Sequence, residues 1–115
     1  MSGKNFIYSI LYDYYGDLLR DNQSSIIDLY YNQDYSLSEI AEEMNISRQG
    51  VHDGLKRAEK NLLEYEDKIK LHYKYIKYSN AAENIIELAS SVTDEKYKDI
   101  IINIKEEANK IINEG

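Results

Sequence analysis

The side chains best suited to ligand chemistry in this 115-residue chain are polar and basic groups between residues 47 and 60. An arginine can donate two parallel hydrogen bonds to a guanine edge and a glutamine can pair with an adenine edge, each pair giving about 1–3 kcal/mol of discrimination. Lysines and arginines further along can neutralise phosphates. The candidate nucleic-acid-binding residues are Ser47, Arg48, Gln49, His52, Lys56, Arg57 and Lys60.

Charge is unevenly distributed along the chain, whose net charge is −7. Residues 47–78 carry eight basic and five acidic residues, whereas residues 1–46 and 79–115 have net charges of −6 and −4. This segregation allows a local electrostatic footprint for nucleic acid, although the long-range field of an acidic protein opposes phosphate, as does Asp53 within the segment. A nucleic-acid footprint and a solvated lysine face both remain open.

Enzyme chemistry is not expected. The chain has no cysteine and two histidines, so it lacks a thiol nucleophile and a usual set of zinc ligands, and it has no glycine-rich phosphate loop. The paired carboxylates are typical of solvated helix faces; they are Glu42, Glu43, Glu64, Glu66 and Asp67. We therefore expect no cofactor and no metal.

The candidate residues follow a short segment with the signature of a helix start. Ser36 and Glu39 have the spacing of a capping box, in which each side chain satisfies an orphan backbone N–H. A helix should run from Leu37 to about Met44, with Ala41 where a second helix approaches closely.

A tight turn should join this helix to the segment with the candidate residues. Asn45 tolerates the left-handed backbone that such a turn needs, Ile46 is expected to fill the corner, and Ser47 can cap the second helix. The pattern predicts a helix-turn-helix in which Val51 faces inward and Arg48 outward. Gly50 and Gly54 weaken that second helix by about 1 kcal/mol each, either to admit a neighbouring backbone or without purpose.

Helical spacing continues on both sides of this element, so the fold class is all-α. Residues 1–5 are expected to form a loose terminus, followed by helices over residues 6–15 and 22–31. After Val51, apolar residues alternate in steps of four and three, which predicts one long recognition helix to about Tyr78. This row consists of Val51, Leu55, Ala58, Leu62, Tyr65, Ile69, His72 and Ile76.

The C-terminal part should contain one helix marked by Ala82 and Ala89 and another capped by Thr93. The last helix has an apolar stripe made of Tyr97, Ile101, Ile104, Ala108 and Ile111. Ile100, Ile102 and Ile112 lie outside that stripe, and such an excess of apolar surface predicts a homodimer. We expect a helix-turn-helix domain at residues 1–66 and packing or dimerisation helices at 67–115.

Four segments resemble the YlxM family of small bacterial helix-turn-helix proteins. They are LYDYYGDLL (11–19), LYY (29–31), LSEIAEEMNISRQGVHDGLKRAE (37–59) and LLEYEDKIKL (62–71). The resemblance implies a helix-turn-helix bundle similar to the promoter-reading region four of sigma factors. It also implies a regulatory or accessory role in the signal recognition particle pathway, because family members are encoded beside that particle's GTPase.

Two functions remain open at this stage. The first is a regulator that binds duplex DNA or the RNA of the signal recognition particle through residues 47–60. The second is a protein-interaction adaptor that contacts the particle's GTPase, or a second copy of itself, while keeping the helix-turn-helix fold.

No segment has the length and apolar character of a membrane span or signal peptide, so we expect a cytoplasmic protein.

Overall fold

The computed structural model describes residues 4–114, and within this range the chain is helical without strands, as the all-α prediction requires. It divides into two compact units, Met1–Lys70 and Leu71–Gly115. The α-helices are α1 (Ile7–Tyr15), α2 (Asp21–Ile27), α3 (Leu37–Met44), α4 (Arg48–Ile69), α5 (Leu71–Ser90) and α6 (Lys98–Glu114). Short 3₁₀ turns cover Gly16–Leu18 and Glu95–Tyr97, and a π-helical turn covers Asp28–Asn32.

The core of the first unit forms where α4 packs against α1, α2 and α3. Apolar residues at helical spacing supply it, because each helix can bury only one stripe. The buried residues are Leu11, Tyr15, Leu19, Ile26, Ile27, Tyr31, Ile40, Val51, Leu55, Ala58 and Leu62. Ala41 packs half-buried against this cluster, as expected for the small residue at the crossing of α3 and α4.

The local rules that predicted the helix-turn-helix hold in the structure. Ser36 Oγ accepts from the Glu39 N–H at 3.1 Å while the Glu39 carboxylate accepts from the Ser36 N–H at 2.8 Å. Asn45 adopts the left-handed backbone with φ 56°. Ser47 Oγ accepts from the Gly50 N–H at 2.9 Å and caps α4. Both helices of the motif therefore begin at the predicted residues.

Ile46 does not fill the corner, and that prediction is wrong. Its side chain is 42% exposed, whereas Ile40 and Val51 are both fully buried. The Ile46 N–H donates to the Ala41 carbonyl at 3.1 Å, which closes the end of α3. Because the residues on the facing sides of α3 and α4 already fill the space between them, the turn residue is left at the surface.

The recognition helix ends at Ile69, so the predicted continuation to Tyr78 is wrong. Lys70 adopts the left-handed backbone with φ 61°, and its N–H donates to the Glu66 carbonyl at 2.8 Å. Along the predicted row, Leu62 is buried, but Ile69 is 39% exposed. The core that supports α4 thus runs out before its last turn, and the rest of the row belongs to α5.

The second unit is a helical hairpin of α5 and α6. Asp94, rather than the predicted Thr93, provides the cap, because its carboxylate accepts from the Lys96 N–H at 3.0 Å and so begins the 3₁₀ turn. The predicted stripe of α6 is also divided: Ala108 is buried and Ile101 half-buried. Tyr97, Ile104 and Ile111 are exposed, so the stripe covers two different faces.

Residues 1–3 of the predicted loose terminus lie outside the described residues, but Lys4 is not loose. Its ammonium donates to the Tyr30 carbonyl at 2.7 Å and to Asp34 at 3.0 Å. It also lies 3.9 Å from the centre of the Tyr30 ring. Because a buried ammonium must be paired, these partners hold Lys4 against the π-helical turn and the residues that follow it.

Candidate nucleic-acid interface

The interface candidates lie on the face of α4 that points away from the core. Val51, Leu55 and Ala58 are almost fully buried, and helical geometry therefore turns the intervening residues to solvent. All seven predicted site residues are exposed: Ser47, Arg48, Gln49, His52, Lys56, Arg57 and Lys60. They all lie on or at the start of one capped helix, around about half of its circumference, and their contact with nucleic acid stays a prediction.

Three of the basic side chains are available for a ligand. Within residues 4–114, no hydrogen bond or ion pair holds Arg48, Arg57 or Lys60. Lys56 is partly engaged, because its Nζ lies 3.6 Å from Glu59 Oε1 while its side chain remains mostly exposed. At 3.6 Å the pair is loose, and because the Lys56 ammonium is the exposed partner, it can turn from the Glu59 carboxylate to a phosphate.

Asp53 occupies the centre of the same face and already holds two of the candidates. Gln49 Nε2 donates to Asp53 Oδ1 at 3.0 Å, and His52 Nδ1 lies 3.4 Å from the same oxygen. Gln49 must therefore leave Asp53 before it can pair with a base. Sequence reasoning identified Asp53 as an opposing charge but missed this pairing, although residues four apart on a helix are neighbours.

Below the exposed face, Glu59 ties α4 to the π-helical turn. This carboxylate is only 8% exposed and accepts a short hydrogen bond from the Tyr31 hydroxyl. Burial raises the pKa of Tyr31 far above its usual value, and the hydrogen bond and charge of Glu59 raise it further. Sequence reasoning gave no sign of this pair, because 28 residues separate its members.

Gly54 lets α2 approach α4 closely. A Cβ at this position would lie 2.7 Å from Ile26 Cδ1, closer than real carbon atoms approach. The atom that approaches Gly54 belongs to a side chain, so the glycine makes room for Ile26 rather than for the neighbouring backbone that was one of the two interpretations. At Gly50 a Cβ would lie 3.1 Å from the capping Ser47 Oγ, so space is limited there as well.

The basic character of α4 does not extend along its whole length. A groove of about 550 Å³ begins at Lys56 and Lys60 and continues along the helix past Glu64 and Asp67 to Lys68. Two carboxylates beside Lys68 would repel a phosphate backbone. The surface suited to nucleic acid is thus confined to residues 48–60, a shorter range than the basic segment at 47–78.

Two other features could give the described part of the chain a different kind of site: a metal-binding cluster or a membrane-spanning helix. Residues 4–114 contain no group of three or more His, Cys, Asp or Glu side chains placed to hold a metal ion. Among the same residues, no helix has the length and apolar character needed to cross a membrane.

Comparison with known proteins places the chain in a family. Residues 3–107 match the family model UPF0122, described as "Putative helix-turn-helix protein, YlxM / p13 like". The chain belongs to the UPF0122 family. UPF0122 proteins similar to it include one from Desulforamulus reducens, 49% identical over 80 residues that cover 70% of this chain and 68% of the relative. One from Clostridium kluyveri is 42% identical over 97 residues, covering 84% and 87%.

A third UPF0122 relative, YofM of Lactococcus lactis, is 47% identical over 81 residues, covering 70% of this chain and 73% of the relative. The helix-turn-helix in the UPF0122 description corresponds here to α3 and α4. The family match also extends through α5 and into α6, so both compact units belong to the UPF0122 region. The YlxM resemblance found in the sequence is thereby confirmed.

Proposed function

We propose that this UPF0122 protein is a regulatory or accessory protein that binds nucleic acid through residues 48–60 of α4. The observation that carries the proposal is that Arg48, Arg57 and Lys60 are exposed between residues 48 and 60 of α4 and have no partner among residues 4–114. The family resemblance points to the signal recognition particle pathway as the setting in which this binding acts.

Duplex DNA is the ligand that suits this geometry best. A helix of α4's dimensions fits the major groove of B-form DNA, where the first residues of a recognition helix reach base edges. The major groove of A-form RNA is too deep and narrow for a helix to enter. In the DNA complex, Arg48 reaches a base edge or phosphate at the start of α4, while Arg57 and Lys60 contact phosphates.

Gln49 can contact a base only after it leaves Asp53. It is exposed at the start of α4 but is held by Asp53 at 3.0 Å, so reading an adenine requires exchange of that hydrogen bond for two others. The carboxylate left behind would then face a cytosine amino group favourably and a phosphate unfavourably. Sequence preference at this position therefore depends on what Asp53 meets in the complex.

The second candidate function is that of a protein-interaction adaptor, which one observation favours. The hairpin of α5 and α6 exposes many large apolar side chains, among them Leu88 at 70% and Ile100 at 57%. Exposed apolar patches on a soluble domain mark interaction surfaces. In this version the signal recognition particle GTPase is the partner, and α3 and α4 serve as a scaffold.

Fluorescence anisotropy with a labelled duplex separates these functions. At low salt the wild-type protein should bind a mixed-sequence duplex, and Arg48→Ala or Arg57→Ala should weaken binding about tenfold, in the range of a lost charged contact. Lys68→Ala is the matched control, because Lys68 is exposed on the same helix beside the carboxylates. Absence of wild-type binding, together with capture of the purified GTPase, would favour the adaptor.

A further inference from the structure

Helix α5 carries two rows of residues with alternating spacings of three and four. Its inner row faces α6 and is buried or half-buried; it consists of His72, Tyr75, Ser79, Ala82, Ile86 and Ala89. Its outer row is exposed and consists of Leu71, Lys74, Tyr78, Ala81, Ile85 and Leu88, continued just beyond the helix by Val92. This spacing is typical of residues that pack against a neighbouring helix. Helix α5 thus has two faces suited to packing, but within the hairpin only α6 packs against it.

Helix α6 repeats the same arrangement. Its inner row is buried or half-buried and consists of Ile101, Lys105, Ala108 and Ile112. Its outer row begins just before the helix and consists of Tyr97, Ile100, Ile104, Glu107 and Ile111. The apolar members of the two outer rows, Ala81 aside, each expose between 39% and 70% of their surface.

The two outer rows lie on the same side of the hairpin. Ile85 of α5 and Ile100, Ile104 and Ile111 of α6 line one open apolar groove of about 580 Å³. We call the surface formed by both outer rows the outer face. From the exposed fractions of its large apolar residues, its exposed apolar area is of the order of several hundred Å². Such an area is comparable with the largest patches on monomers and with the roughly 800 Å² that each partner contributes to a standard interface.

We propose that a second copy of this chain covers the outer face, so that two hairpins form an antiparallel four-helix bundle. In this dimer, α5 packs on α5 of the partner and α6 on α6 of the partner. The twofold axis passes beside Ile85 and Ile104, which line the same groove. Each outer row then packs against the same row of the other copy, as a twofold interface requires.

Side-chain sizes in the outer row of α5 favour this register. With Ile85 on the axis, Leu88 of each copy faces Ala81 of the other, and Tyr78 faces Val92. Leu88 is the most exposed large apolar residue in the described part of the protein, at 70%, and Ala81 is the smallest residue of its row. A large side chain opposite a small one allows the close packing that equal large residues would prevent.

Charge is compatible with this register. Each outer row contains one charged residue, Lys74 in α5 and Glu107 in α6, and neither lies on the axis beside its own copy. In the antiparallel register Glu107 faces Ile100, while Lys110 holds the Glu107 carboxylate at 2.8 Å and leaves its methylene groups to cover the isoleucine.

Sedimentation velocity of the full chain tests this dimer. Ile100→Asp is the test variant and Ile102→Asp is its matched control. Both isoleucines are exposed on α6, two residues apart, but only Ile100 belongs to the outer face. At about 50 µM the wild type should sediment at twice the 13.5 kDa chain mass. Ile100→Asp should raise the dimer dissociation constant at least about tenfold, and Ile102→Asp less than about threefold, because buried interface anchors dominate binding.

Two sedimentation results would contradict the proposed dimer. A wild-type monomer at 50 µM would show that a second copy does not cover the outer face and would leave it to a different protein. Equal weakening by both substitutions would place the interface elsewhere on α6. Circular dichroism of each variant separates lost association from lost folding.

Cysteine cross-linking tests the direction and register, since the chain contains no cysteine of its own. Ile85→Cys places two thiols beside the twofold axis, where they should form a disulfide under mild oxidation. Glu83→Cys, exposed on the opposite side of α5 from its outer row, should not cross-link at the same rate. Faster cross-linking of Glu83→Cys would overturn the proposed register.

Discussion

Ile26 on α2 places its Cδ1 atom 2.7 Å from the position that a Cβ on Gly54 would occupy. Because Ile26 is only 1% exposed, its side chain has little room to move aside. Gly54→Ala should therefore destabilise the first unit by about 1 kcal/mol, since an overpacking cost of about 1–3 kcal/mol exceeds the gain of about 1 kcal/mol in helix propensity. Urea denaturation monitored by circular dichroism measures the change.

Shortening Ile26 provides the control for this prediction. Ile26→Val removes the Cδ1 atom, so in that background Gly54→Ala should be neutral or stabilising, because only the propensity gain remains. A destabilisation of equal size in both backgrounds would show that the close approach of α2 does not explain this glycine.

Tyr31→Phe should destabilise the protein by about 1–3 kcal/mol, because it leaves the buried Glu59 carboxylate without its hydroxyl partner. Tyr65→Phe is the matched control, since the Tyr65 hydroxyl donates to the Leu18 carbonyl at 3.1 Å in an exposed setting. The denaturation midpoint should fall further for Tyr31→Phe. Equal midpoints would mean that Glu59 finds a new partner at no cost.

Stability should also decline at alkaline pH through Tyr31. Its pKa is raised in the folded protein, mainly by burial and then by Glu59, so the unfolded chain loses this proton near pH 10 while the folded chain retains it. The unfolded state then binds fewer protons, and stability falls by up to about 1.4 kcal/mol per pH unit above 10. Consequently, the stability advantage of wild type over Tyr31→Phe should shrink between pH 9 and 11.5, and an advantage independent of pH would contradict this linkage.

Asp53→Asn should strengthen duplex binding several-fold at low salt. The substitution removes a negative charge from the centre of the exposed face of α4 and leaves Arg48 and Lys56 in place. Asp67→Asn removes the same charge beyond the basic range and should have a smaller effect. Anisotropy titrations compare the two, and an equal gain for both would indicate a general effect of net charge rather than a local contact.

The parts of the fold that follow from local rules could be predicted from the sequence. The Ser36–Glu39 capping box, the left-handed Asn45 and the Ser47 cap each depend on a few neighbouring residues. These rules also placed the basic side chains on the solvent face of α4. The family resemblance agreed with them, so the helix-turn-helix was predictable before any packing was known.

Features that depend on distant residues could not be predicted in this way. Lys4 is fixed by Tyr30 and Asp34, and Glu59 by Tyr31, through contacts between residues far apart in sequence. The end of α4 at Ile69 depends on where its supporting core runs out, since the apolar spacing itself continues. Ile46 was misplaced because spacing alone does not reveal that other side chains already fill the corner.

The measurement that tests the central proposal most directly is the salt dependence of duplex binding by the full-length protein. Each phosphate neutralised releases counterions, so the slope of log affinity against log salt is about −0.9 per phosphate contact. Contacts from Arg57, Lys60 and Lys56 predict a slope of roughly −2 to −3, and Arg57→Ala should make it less steep by about one unit. No detectable binding at low salt, or a slope that Arg57→Ala leaves unchanged, would contradict a nucleic-acid contact through α4.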